Sequence, residues 1–334
     1  MKILITGASG FIGGFLVEAA LQQGWEVWAG VRKTSDKHYL TQQELKFIDL
    51  NYTDVEVLTQ QIKLHIAEHG AWDYVIHNAG ITKCMDETDY YRINHLYTAH
   101  LIQALLLSGN KPSKFLYMSS MGAVGPGNDE TGAPLTLLDS PSPVSEYGRS
   151  KLMAEDYIRT QTDLPWIILR PTGVYGPRER DYYNLLKMIN MGVNVSIGFK
   201  HQQLNFIYVK DLARVCILSL KSPHVHKTWF VADGDIHTSK DFSKLLQLVL
   251  KKKKVITLRI PLSIVKGLSI FMDKLGRLTQ KTYLLNADKY KVMKQRNWTC
   301  DITALEQELP FKATYNLQRG MEETVAWYVE NGWL

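Results

Sequence analysis

The chain has 334 residues, 45% hydrophobic and 22% charged, an ordinary composition for a soluble globular protein with room for two domains or one large one. Its 39 Lys and Arg exceed its 33 Asp and Glu, for a net charge of +6. Four of those lysines form one run, 251–254, and no basic stripe with interleaved aromatics appears, so a general nucleic-acid surface is not indicated.

Three cysteines, Cys84, Cys216 and Cys300, are odd in number and far apart, which leaves no disulfide framework and no Cys-x-x-Cys pair and fits a reducing compartment. No signal-like segment precedes the first strand, and no apolar stretch has the length of a bilayer span, so the expected location is the cytoplasm with no integral membrane segment.

Residues 2–6 are apolar and β-branched and run into a glycine turn, Thr6-Gly7-Ala8-Ser9-Gly10-Phe11-Ile12-Gly13. That is the pattern of a buried parallel strand feeding a helix. Helical spacing covers 11–23 and stops at Gly24. Further strands are expected at 25–31, 47–48, 74–76, 115–118 and 166–169. Helices are expected at 55–68, at 90–107 and around Tyr147-Gly148-Arg149-Ser150-Lys151, after a Gly- and Pro-rich loop at 122–143. The alternation predicts an α/β fold, a Rossmann-type doubly wound parallel sheet with right-handed crossovers. Ligands bind such sheets at the carboxyl ends of the strands, where the segments 7–13, 78–80, 119–120 and 170–172 all fall.

Beyond about residue 175 the alternation weakens. Helices are expected at 182–191, 239–250, 262–275 and 317–329, and short strands at 206–209, 228–231 and 255–258. Asp211 is placed to cap the helix after 206–209. The expected division is 1–175 for a nucleotide-binding domain and 176–334 for a smaller, irregular lobe, with chain crossings between them. The apolar face of 262–275, with Leu262, Val265, Leu268, Phe271, Met272 and Leu275, is expected to be core rather than a membrane-surface helix. His65 and His69 lie one helical turn apart but have no third ligand, and are expected on the surface.

Tyr147 and Lys151 share one helix face. An ammonium near a phenol favours the phenolate, and such a phenol can pass a proton to or from an alcohol or ketone oxygen. In Gly7-x-x-Gly10-x-x-Gly13 the glycines allow a tight turn and close backbone approach, and the following helix N-terminus offers N–H groups to a pyrophosphate. The second strand ends in Ala29-Gly30-Val31-Arg32-Lys33, with no acid for a ribose 2′-hydroxyl. Arg32 can grip a 2′-phosphate and Lys33 adds charge, so NADP(H) is favoured and NAD(H) is the alternative.

The glycine turn, the Ser119-Ser120 pair at a strand end and the Tyr-x-x-x-Lys segment together resemble the extended short-chain dehydrogenase/reductase family, also called the NAD-dependent epimerase/dehydratase family. The resemblance covers nearly the whole chain. It implies that Ser9, Phe11, Ile12 and Ser119 also border the cofactor, that Asp49 and Leu50 lie near the adenine, and that Asn78, Ala79 and Gly80 line the ribose–phosphate wall. It places Lys151 on the nicotinamide ribose and Pro171, Thr172 and Val174 by the carboxamide. Aligned on the family pattern, Ser120 is the catalytic hydroxyl that orients the reacting oxygen, Tyr147 the acid/base, and Asn94 a helix-stabilising neighbour; a one-residue slip would exchange Ser119 and Ser120. The resemblance also implies a homodimer paired through the helices bearing Asn94 and Tyr147, and a substrate role for the second lobe.

Arg178 and Arg180 are candidates for an anionic substrate group, although Glu179 and Asp181 alternate with them. Where sugar-nucleotide enzymes of the family carry a diphosphate-clamping arginine, this chain has Leu204, which cannot pair with phosphate. With Arg32 and Lys33, that departure favours an NADPH-linked reductase or dehydrogenase of a small hydroxy/keto compound. The alternatives are a nucleoside-diphosphate-sugar epimerase or dehydratase that recycles NAD, and a non-catalytic NADP-binding sensor or scaffold. The second is disfavoured by the presence of both Tyr147 and Lys151.

Overall fold

The computed structural model describes residues 1–279, 281, 283 and 285–334. The elements run β1 (Lys2–Thr6), α1 (Phe11–Leu21), β2 (Glu26–Gly30), β3 (Lys46–Ile48), α2 (Val55–His69), β4 (Tyr74–His77), α3 (Thr88–Tyr90), a π-helical turn (Tyr91–Leu96), α4 (Tyr97–Leu107) and β5 (Lys114–Met118). There follow α5 (Glu146–Arg159), β6 (Trp166–Pro171), β7 (Gly173–Tyr175), α6 (Asp181–Asn190), β8 (Val193–Ile197), β9 (Gln203–Leu204), β10 (Phe206–Tyr208), α7 (Val209–Lys221) and β11 (Lys227–Val231). The chain ends with β12 (His237–Thr238), α8 (Ser239–Val249), β13 (Ile256–Ile260), α9 (Leu262–Thr279), α10 (Ala287–Met293), β14 (Asn297–Trp298), α11 (Thr303–Glu308) and α12 (Leu317–Glu330).

Seven strands form one sheet in the order β11-β6-β5-β4-β1-β2-β3, with β6 through β3 paired in parallel. This is the doubly wound sheet expected from the alternation. Its central strands are buried on both faces, which is why β1, β4, β5 and β6 read as apolar runs rather than alternating ones. Sharp stops set the helices: Asp54 caps α2 by accepting from Glu56 and Val57 N–H, and Gly24 and Gly70 turn with positive φ after α1 and α2.

The chain divides into two compact units. The first comprises Met1–Ala123, Tyr147–Arg170 and Ala213–Trp229; the second comprises Val124–Glu146, Pro171–Leu212 and Phe230–Leu334. In the first, Leu4, Trp72, Leu101, Leu105, Phe115 and Ile168 belong to one buried cluster. The second has a buried cluster rich in aromatics, including Tyr175, Phe206, Tyr208, Phe242 and Tyr328, and three small sheets: β7 with β10, β9 with β12 and β14, and β8 with β13.

Three expectations are corrected. His65 is not a surface residue: it is buried, stacked on Trp72 at 4.1 Å between ring centroids and edge-on to Trp28 at 4.4 Å, while His69 is exposed. Asp211 lies inside the first turn of α7 rather than ahead of it, and its carboxylate accepts the N–H groups of Thr314 and Tyr315. The apolar face at 262–275 is only partly core. Val265 is buried, but Leu268 and Phe271 face solvent.

Candidate active site

The glycine turn closes on itself. Gly10 N donates to Gly7 O at 3.1 Å, and Gly7 has a φ of +65°. A Cβ at Gly13 would stand 2.1 Å from Gly7 O, and one at Gly7 would stand 2.8 Å from Ala79 Cα, so neither position admits a side chain without moving backbone. Gly10, the residue ahead of α1, has no side chain to cap the helix. Bare N–H groups on a tight glycine cradle at a helix N-terminus suit a pyrophosphate. Ser9, Phe11 and Ile12 belong to this turn. Asn78 Nδ2 donates to Gly7 O at 3.4 Å, and Ala79 N donates to Thr6 Oγ1 at 3.1 Å, which ties the end of β4 to the cradle.

Arg32 and Lys33 are exposed just beyond β2, where Arg32 N donates to Ser35 Oγ. Leu50 is buried and Asp49 is exposed just beyond β3. The ends of β1, β2, β3 and β4 thus carry the glycine turn, Arg32, Lys33, Asp49, Leu50 and Asn78 to Gly80 in the first unit.

Tyr147 and Lys151 lie on α5. Burial raises the Tyr147 pKa, and a hydrogen bond with Ser120 pulls against that rise. Ser120 Oγ also accepts Gly122 N–H at 3.0 Å. Burial lowers the Lys151 ammonium to about 8, opposed by the charge of Glu155. Lys151 Nζ donates to Met118 O at 2.8 Å and sits 4.7 Å above the Tyr117 ring. The hydroxyl of Ser120 thus opposes the rise in the Tyr147 pKa. A phenol, a hydroxyl and an ammonium grouped in this way can hold an alcohol or carbonyl oxygen and exchange a proton with it.

The two serines of the pair have separate surroundings. Ser119 is buried and its Oγ donates to Glu155 Oε1 at 2.5 Å, whereas Ser120 bonds Tyr147. Glu155 is held by Arg170 through two bonds of 3.0 and 2.6 Å and by Arg159 at 2.7 Å. Burial pushes the Glu155 carboxyl up, but Arg170, with Ser119 and Arg159, brings it below the usual carboxylate range.

The sequence reading missed this buried ion pair. Helix spacing puts Glu155 one turn beyond Lys151 but gives no sign of its partner Arg170, which lies on β6. The sequence reading also passed over His77, which is buried with Nδ1 against Thr6 Oγ1 at 2.8 Å and Nε2 against Thr98 Oγ1 at 3.0 Å. Burial, then Lys151, lowers the His77 pKa to about 3. Asn94 lies in the π-helical turn, where its side chain accepts Ile81 N–H at 2.8 Å and donates to Ile81 O and Ser150 Oγ, each at 3.0 Å. It joins the strand-end loop to the helix that carries Tyr147 and Lys151.

The second unit holds the remaining predicted residues. Pro171, Thr172 and Val174 lie at the end of β6 and in β7, with Thr172 N donating to Val231 O. Arg178 has a φ of +74°, and Arg180 is exposed with its guanidinium 5.7 Å from the Trp333 ring. Glu179 accepts the N–H groups of Asp181 and Tyr182 at the start of α6, and Asp181 pairs with Lys289 at 3.7 Å. Leu204 is in β9, in register with His237 and Trp298. Among the described residues no group of His, Cys, Asp and Glu is arranged to hold a metal ion.

Residues 3–231 match the model of the NAD dependent epimerase/dehydratase family. The chain is 24% identical over 335 residues to the ceramide reductase of Caulobacter vibrioides, covering 99% of this chain and 96% of that one. It is 24% identical over 343 residues to a UDP-glucose 4-epimerase of Vibrio cholerae, covering 98% and 96%. The crystal structure of the UDP-glucose 4-epimerase of Thermus thermophilus in complex with NAD superposes with a TM-score of 0.77 at 20% identity, over 98% of this chain and 99% of that one. At that identity the superposition speaks for the fold.

Proposed function

The chain belongs to the NAD dependent epimerase/dehydratase family, and on that premise we propose that it moves a hydride between a nicotinamide dinucleotide and a secondary alcohol or ketone carbon, with Tyr147 carrying the matching proton. The observation that carries this reading is the grouping of Ser120, Tyr147 and Lys151 in one unit with the glycine cradle. Gly7, Gly10 and Gly13 would hold the pyrophosphate, Asn78 to Gly80 the ribose wall, and Asp49 and Leu50 the adenine side. When bound, the dinucleotide supplies the hydride acceptor and donor. Ser120 then holds the reacting oxygen, Tyr147 gives or takes its proton, and Lys151 holds positive charge beside the developing phenolate.

In its leading form, the hydride returns to the same substrate, as in an epimerase or dehydratase that keeps its NAD. UDP-glucose 4-epimerases among the relatives and the similar structures support this form. It reverses the weighting drawn from Arg32, Lys33 and Leu204 alone. Those residues support a second form, an NADPH-linked reductase, because an exposed cation pair replaces the ribose-binding acid and Leu204 pairs within a strand of unit 2. Arg178 and Arg180 are proposed contacts for an anionic substrate group in either form. The reading also includes a homodimer, supported by solvent-facing Leu96, Leu107 and Met153 on the helices at 88–107 and 146–159.

The test is to denature the purified chain, identify any released nucleotide, and then follow reduced-cofactor absorbance during turnover. Released NAD with no net absorbance change on a UDP-sugar supports the leading form. Stoichiometric loss of NADPH with a ketone replaces it by the second. A chain that binds neither nucleotide overturns both.

A further inference from the structure

The region 251–281 carries nine Lys and Arg against one Asp, a net charge of +8. The whole chain carries +6, so the remainder is −2. The cationic excess of this protein therefore sits in one segment, which begins with the lysine run and includes β13 and α9.

That segment also holds an uncovered apolar face. On α9, Ile264, Leu268, Phe271, Leu275 and Leu278 follow steps of four, three, four and three residues, which puts them in one line along the helix. Ile264 is 58% exposed, Leu268 46%, Phe271 58% and Leu278 82%. Val265 and Ser269, on the other side of the helix, are buried, so α9 is seated in its own unit and its apolar line still points outward. Phe199 adds to it: it is 70% exposed and follows Gly198, whose N–H bonds Ile260 O and where an added Cβ would stand 3.5 Å from the Leu262 side chain at the start of α9. Lys266 and Lys274 are exposed on the same helix, off the apolar line. Among the described residues no helix is long and apolar enough to cross a membrane.

We propose that α9, with Phe199 and the lysine run, is a peripheral docking surface that lies in the plane of an anionic lipid bilayer. An apolar line on a helix with lysines beside it is the arrangement of an interfacial helix, whose apolar side chains enter the acyl boundary while ammonium groups meet lipid phosphates. Charge decides between a bilayer and a second copy of this chain. A two-fold contact would bring two segments of net charge +8 against each other, whereas an anionic surface complements them. The proposal does not depend on which form of the enzymatic reading holds.

The test is co-sedimentation of the full-length protein with vesicles of phosphatidylcholine alone or mixed with phosphatidylglycerol. Pelleting with the mixed vesicles is expected, much weaker pelleting with phosphatidylcholine, and release as salt rises. Leu268→Glu with Phe271→Glu should cut the bound fraction by roughly tenfold, and glutamine at 251–254 should cut it to a lesser degree. An unchanged thermal midpoint certifies the fold of each variant, and Leu278→Ser repeats the test with one fully outward side chain. Absence of pelleting with mixed vesicles overturns the proposal, as does pelleting unchanged in the double variant. Conversion of a larger oligomer to a smaller one by the double variant, without vesicles, assigns the face to self-association and also overturns it.

Discussion

Helices α4 and α9 both carry apolar side chains at helical spacing and meet opposite fates. In α4, Leu101, Ile102 and Leu105 are fully buried in the cluster with Trp72 and Phe115. In α9, Ile264, Leu268 and Phe271 also share one face of the helix and face solvent. Periodicity reports that one face of a helix gains by leaving water, at about 1.5–3 kcal/mol for each large side chain; it does not report what will cover that face. For α4 the cover is the chain's own sheet. For α9 the gain is still available to something outside the unit, which is how an exposed apolar patch differs in meaning from an exposed leucine.

The largest effect expected from a single atom falls in the unit of α4. Tyr147→Phe removes only the phenolic oxygen. A general acid/base of this kind contributes roughly 10²–10⁴ in rate, so turnover should fall by that factor while nucleotide binding, measured by calorimetry, stays within about twofold. Phe271→Ala on α9, assayed beside it on a soluble substrate, should leave turnover unchanged. Equal losses in the two variants would erase the contrast between a unit that holds the chemistry and a helix that does not.

A second pair of variants tests the covering itself. Leu105→Ala opens a cavity in the cluster around Phe115 and should cost about 2–5 kcal/mol in urea unfolding. Phe271→Ala deletes a larger side chain from a solvent-facing position and should stay within about 0.5 kcal/mol. A loss of several kcal/mol at Phe271 would mean that α9 is covered within the chain after all.

The same contrast explains what was legible in the sequence. In the first unit the strands were readable because parallel strands buried on both faces are apolar runs, and the turn at Gly7 was readable because only glycine tolerates its φ and its approach to Ala79. The grouping of Ser120 with Tyr147 was legible only through the resemblance to a known family, since spacing puts Ser120 at a strand end and Tyr147 on a helix without saying that they meet. Glu155 and His77 were not legible as buried polar groups, since their partners Arg170 and Thr98 are brought to them only by the folded sheet. In the second unit β7, β8, β9, β12 and β14 have two to five residues each and pair across the sequence, as Gln203 does with Asn297, which leaves too short a pattern to read.

His65 supplies the smallest and most specific test, because it is the residue of α2 that sequence placed in water and the fold placed among Trp28 and Trp72. Burial, then the neighbouring His69, lowers its pKa to about 4, against about 6.5 in an unfolded chain. Between those values the unfolded state binds a proton that the folded state does not, so this contribution to stability is complete above about pH 6.5 and is lost as pH falls toward 4. His65→Phe keeps the aromatic packing and removes that proton. The slope of unfolding free energy against pH, followed by tryptophan fluorescence, should flatten by up to about 1.4 kcal/mol per pH unit across this window. Flattening will be incomplete, since His77, lowered to about 3, contributes a slope of the same sign. An unchanged slope would mean that His65 binds its proton equally in both states, and that the face of α2 toward Trp72 is open to water in the way the line on α9 is.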